Sequence, residues 1–138
     1  MSNLTVSYVH GDRFDIEVRD HLIAVDQPVA DGGEDTAPTP TELLVASLAA
    51  CVAFYARRYL ARHNLPTAGL TVTSDYTLGY SPVRVTDIRV DIHLPEGVPS
   101  ECLAALLAVT RQCTVQNTLA ASPAVTVALA DQPEPVPR

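Results

Sequence analysis

Tryptophan is absent from this chain and aromatic residues make up only 5% of it, so a core must be built mainly from Ala, Val, Leu and Ile. Basic residues are scarce as well. Nine stand against sixteen acidic ones, and the formal charge of −7 opposes nucleic-acid phosphates and anionic membrane surfaces, which excludes both as partners. The opening MSNLTVSYVH alternates like a strand and has neither the basic region nor the apolar run of a secretory leader. The longest nearly uncharged run, Leu43 to Ala56, has 14 residues and falls short of the ~20 that a membrane helix needs. A cytoplasmic location is the expectation. Three cysteines, an odd number, make no structural disulfide framework there.

Several chemistries lack their residues. His10, His21, His63 and His93 are scattered, and none pairs with a cysteine at zinc-ligand spacing. Asp26, Asp31, Glu34 and Asp35 lack the alternating oxygen positions of a calcium loop. DGGED does not join a strand to a helix as a phosphate-cradling loop does, and Ser47 lacks the glycines of a nucleophile elbow. No metal and no cofactor are expected.

What is present reads as a single domain over residues 1–130, followed by a Pro-rich, flexible tail at 131–138. Leu4, Val6 and Tyr8, then Phe14, Ile16 and Val18, then Ile23 to Val25 alternate as three short antiparallel strands. DQPVADGGEDTAPTP is a loop of about fifteen residues, a length that often lines a site. Thr39, Pro40 and Glu42 then spell a helix start with a capping box. The helix over 40–63 is apolar on all faces as far as Ala56, which predicts burial on every side, and Asn64 and Pro66 end it. A strand from Leu70 to Leu78 follows. In VRVTDIRVDIHL the apolar parity switches, which places a bulge near Thr86 and Asp87. Cys102, Leu106, Val109 and Cys113 recur at helical spacing, the helix continuing or restarting at Cys113, and AVTVAL at 124–129 reads as a last strand. The order implies an α+β fold, antiparallel sheets packed around a long buried central helix.

The thiols are the one constellation with chemistry to offer. Cys51 lies twelve residues beyond Thr39, too deep for the dipole of its own helix to act on it, so a reactive Cys51 needs a cation delivered from elsewhere. Without one it is core filler. Cys113 would gain from the amides of a helix starting at Thr114. Cys102 shares its helical face but lies roughly 16 Å along the axis, beyond disulfide reach, and reads as a core residue.

PTPTELLVASLAAC, followed about sixty residues later by CTVQNTL, resembles the OsmC/Ohr family, named for osmotically inducible protein C and the organic hydroperoxide resistance proteins. The resemblance spans nearly the whole chain, and its two motifs agree in order and separation. It implies an OsmC-like fold, an intertwined homodimer with sites at the interface, and a thiol-dependent peroxidase. Cys51 would attack an organic hydroperoxide and become a sulfenic acid. Cys113 would resolve it, and a dithiol, lipoyl-type or other, would reduce the disulfide. An arginine of the N-terminal strands would activate the thiol; Arg13 is the best positional match and Arg19 the second.

The chain departs from the family pattern twice. The acidic residue that directly follows the Pro in peroxidase branches is Thr41 here, and Glu42 is rotated from it by about 100°, which suits a cap better than a catalytic partner. Thr114 replaces the Pro after the second cysteine. These departures place the chain in a less characterised OsmC-like branch. They keep an alternative open, a non-catalytic dimeric protein that binds a small lipophilic or thiol-bearing ligand.

Overall fold

The computed structural model describes residues 3–131. Strands β1 (Leu4–His10), β2 (Arg13–Val18) and β3 (His21–Val25) form an antiparallel sheet in that order. Alternation sets the register: Val6 faces Ile16, which faces Ile23, and Tyr8 faces Phe14, which faces Val25. Tyr8 and Phe14 meet edge to face with centroids 5.5 Å apart. The β1–β2 turn needs a left-handed residue, and Gly11 supplies it at φ 54°.

The segment from Asp26 to Thr39 returns across the sheet and delivers α1 (Pro40–Arg62). Its start is the expected capping box: Glu42 N–H donates to Thr39 Oγ1 at 3.0 Å, and Thr39 N–H donates to Glu42 Oε1 at 2.9 Å. Its end is set by His63 and by Asn64 in the left-handed region at φ 55°.

Strands β4 (Thr71–Gly79) and β5 (Arg84–His93) form a two-stranded antiparallel sheet. Thr77 faces Asp87 but Leu78 faces Val85, so Thr86 is the extra residue of a bulge, where the parity switch places it. A one-turn 3-10 helix at Ser100–Cys102 leads into α2 (Leu103–Thr110), and α3 (Thr114–Ala120) restarts after a break at Arg111 to Cys113. β4, β5, α2 and α3 all pack on α1. One core cluster joins Ala56, Tyr59, Leu60 and Leu106, with Cys102 packed against it as filler; the other joins Leu48, Val52 and Cys113.

Two expectations are corrected. First, α1 is not buried all round: Val45, Leu48, Val52, Ala56, Tyr59 and Leu60 form a covered stripe at helical spacing, while Leu44 and Phe54 remain exposed. One chain supplies packing partners for only part of the helix surface. Second, the segment expected as a strand at 124–129 is not one and pairs with no strand among the described residues, and Val127 is 94% exposed. Alternation supplies a strand's faces, but a strand also needs an edge to join. α1 as a whole has the length and apolar composition to cross a membrane, and its packing is that of the core helix its short uncharged run implies. β4, β5, α2 and α3 pack on it. From residue 132 onward the Pro-rich tail lies outside the described residues.

Candidate active site

Cys51 stands on α1 beside the covered stripe, half-buried, and packs against Cys113. Cys113 is fully buried at 0% exposure in the break before α3. There it acts as the helix cap. Its sulfur accepts from Gln116 N–H at 3.4 Å, and the Val115 amide also faces it. Burial pushes the Cys113 thiol above its ordinary range; the amides pull the other way, and the neighbouring Cys51 adds to the rise. Cys113 is thereby held as a thiol. Two residues that are sixty-two positions apart in sequence meet because α1 and α3 pack together. Tyr55, one turn beyond Cys51, has its hydroxyl 3.5 Å from Thr114 Oγ1 and closes the site on that side.

Arg13 is not in that cluster. Its guanidinium donates to Thr36 Oγ1 at 3.1 Å and lies 3.5 Å from Asp15. Thr36 in turn donates its hydroxyl at 2.6 Å and its amide at 3.0 Å to Asp26 Oδ2, while Gln27 N–H donates to Oδ1 at 2.7 Å. The direction is forced, because a guanidinium only donates and an ionised carboxylate only accepts. Asp26 is 1% exposed, yet these hydrogen bonds, led by the Thr36 hydroxyl, outweigh desolvation and lower its pKa to about 2. Sequence reading did not find this Asp26–Thr36–Arg13 chain, since no short-range pattern links positions 13, 26 and 36. Arg19 sits at the β2–β3 turn at φ 53°. Glu42 is held by the capping box, so the role of cap fits it.

A groove of about 580 Å³ runs between α1, β5 and the α2–α3 pair, walled by Leu48, Val52, Ile88 and Leu107, with Asp87, Arg111 and Gln116 also in its lining. Among the described residues no three His, Cys, Asp or Glu side chains converge as metal ligands do.

A family model for OsmC-like proteins matches residues 32–128, a span that carries both cysteine motifs. The chain belongs to the OsmC family. Solved structures of the family share the fold. A candidate osmotic stress induced and detoxification response protein from Psychrobacter arcticus 273-4 superposes with a TM-score of 0.79 at 22% identity, over 86% of this chain and 88% of that one. An OsmC-like protein from Mycoplasma pneumoniae gives 0.75 at 15% identity, over 88% and 89%. The organic hydroperoxide resistance protein OsmC from Legionella pneumophila gives 0.67 at 20% identity, over 88% and 90%. No curated protein matches the chain. At these identities the likeness carries the α+β OsmC fold to this chain, and the activities in the relatives' names remain theirs.

Proposed function

We propose that this OsmC-family chain is a cytoplasmic, homodimeric thiol peroxidase that reduces organic hydroperoxides. The observation that carries the reading is the proximity of Cys51 and Cys113 in the core cluster of Leu48 and Val52, two residues that also wall a groove of mainly apolar lining. The Cys51 thiolate attacks the terminal peroxide oxygen, the O–O bond breaks, the alkoxide takes a proton and leaves as an alcohol, and Cys51 becomes a sulfenic acid. The Cys113 sulfur then attacks the Cys51 sulfur; the hydroxyl leaves as water with the Cys113 proton, and a disulfide closes. A dithiol returns both thiols by exchange and is itself oxidised. The raised Cys113 pKa suits this order, since it keeps the resolving sulfur protonated until the sulfenic acid forms.

The unfinished surfaces of the chain support a dimer. β1 exposes Leu4, Val6 and Tyr8, and the unpaired 124–129 segment exposes Val125, Val127 and Leu129 at alternate positions. Neither thiol-bearing core cluster includes a residue of β1–β3. Arg13 is accordingly assigned to a Cys51 of the other copy, where it would favour the thiolate.

The test is peroxide loss and intact mass after cumene hydroperoxide treatment of wild type, Cys51→Ser and Cys113→Ser. Dithiol-dependent turnover should vanish in Cys51→Ser, and Cys113→Ser should accumulate oxidised Cys51 without an intramolecular disulfide. No turnover together with unmodified thiols in the wild type sinks the reading. Arg13 has its own check: mixed dimers of Arg13→Ala and Cys51→Ser chains retain one complete site and regain activity if Arg13 acts between copies. Thr41, at the place of the family's acidic residue, favours a second reading, in which the groove binds a small lipophilic or thiol-bearing ligand and Cys51 is a contact.

A further inference from the structure

A second cavity, of about 320 Å³, opens on α1 beyond the thiols and is lined by Tyr55, Arg58, Tyr59, Arg62, His63 and Val109. The chain contains no lysine, so its cations are arginines, and of these Arg57, Arg58 and Arg62 fall within two turns of one helix. Helix geometry puts Tyr55, Arg58 and Arg62 on nearly the same meridian as Cys51, with the two arginines about 10 Å and 16 Å along the axis from it. Neither Arg58 nor Arg62 has an ion-pair partner among the described residues; the pairs formed there use His10, Arg13 and Arg89. The Arg58 guanidinium rests 5.8 Å from the centre of the Phe54 ring. The helix dipole accounts for a cation in the last turn, where Arg62 stands, but not for Arg58 a turn earlier. His63 is already engaged, stacked on Tyr59 at 4.0 Å with Nδ1 2.9 Å from the Tyr59 carbonyl, so it serves as wall. Two guanidiniums with no ion-pair partner among the described residues, lining a cavity with Tyr55, the Tyr59–His63 stack and Val109 in a chain of net charge −7, match an organic carboxylate on a short hydrocarbon.

We propose that Arg58 and Arg62, in the cavity they line with Tyr55 and Tyr59, form a carboxylate subsite for the small molecule whose other end meets Cys51 and Cys113. The link to the thiols rests on the peroxidase reading; the carboxylate site itself does not. The carboxylate belongs either to the hydroperoxide or to the dithiol that reduces the enzyme.

Decanoate and decanol are the first probes, with binding followed by calorimetry on the full chain. Decanoate should bind roughly tenfold or more tightly than decanol, the scale of a charge-assisted pair. Arg58→Gln/Arg62→Gln should erase that preference, and Arg58→Lys/Arg62→Lys should restore part of it. Equal binding of the two probes, or a preference untouched by the double Gln variant, overturns the subsite. The half-reactions then locate the group. A Gln-sensitive preference for a carboxylate-bearing over a neutral hydroperoxide during thiol oxidation assigns it to the oxidant. The same preference between a carboxylate-bearing and a neutral dithiol during re-reduction assigns it to the reductant. No charge preference in either half-reaction overturns the link to the thiols. An inactive chain that still binds decanoate through both arginines refutes the peroxidase reading and upholds the carboxylate site.

Discussion

The two sheets of this molecule contrast sharply. β4 and β5 lie against α1 and contribute Val72, Ile88, Val90 and Ile92 to the packing around Leu48, Val52 and Cys113. β1, β2 and β3 have regular pairing and cross-strand apolar contacts, yet Leu4, Val6, Tyr8, Leu22 and Ile23 remain exposed and none joins either core cluster. Both sheets satisfy the local rules of strand pairing, so local rules do not explain the difference. A sheet is stabilised by what covers its face, and only the second finds its cover within the chain.

The largest expected effect tests the covered half. Leu60 is 0% exposed in the Tyr59–Leu106 cluster, so Leu60→Ala should cost about 2–5 kcal/mol in denaturant unfolding. A loss below about 1 kcal/mol would show that this cluster does not hold the body together. Val127→Asp comes next and tests the uncovered half. If a second copy buries this residue, the substitution forfeits about 1.5–3 kcal/mol of apolar burial per site, and light scattering should show a lower mass with concentration-dependent melting. An unchanged mass would mean that residues 124–129 take no part in assembly.

Thr39→Ala should cost about 1 kcal/mol by removing one half of the capping box, read from thermal melts with the Thr39 and Glu42 amides followed by NMR. The subtlest effect is a pH window at the junction of the two halves. Asp26 has a folded pKa of about 2 against an ordinary value near 3.9, so its stabilisation is present above about pH 4 and is lost as pH falls through about 2. Asp26→Asn should flatten the stability change between those limits and loosen the Thr36 amide. A Thr36 amide as protected from exchange as in the wild type would show that Asp26 does not hold the loop.

Legibility in the sequence followed the range of the interaction. Thr39, Pro40 and Glu42 announce the start of α1 because capping involves neighbours three residues apart. The parity switch before Ile88 announces the bulge at Thr86 because side-chain alternation is a property of one strand. Cys113 could be read as standing at a break, and it is the cap of α3. The expectation for 124–129 failed because Val125, Val127 and Leu129 specify a face while pairing is supplied by another strand. The burial of α1 was overestimated for a similar reason: composition shows that a helix can be buried on every side, not that one chain contains enough surface to bury it.

The sequence by itself determined the paired strands of both sheets, the helices, the start of α1, the bulge, and the two cysteine motifs that mark the OsmC family, because each depends on residues close together along the chain. Only the tertiary structure decided that Cys51 and Cys113 touch while Arg13 turns to Thr36 and Asp26. The contacts Cys51–Cys113, Arg13–Thr36 and Thr36–Asp26 join residues separated by 62, 23 and 10 positions in the sequence, and the choice among such partners is made by how α1, α3 and the Asp26 loop pack, which no local periodicity encodes.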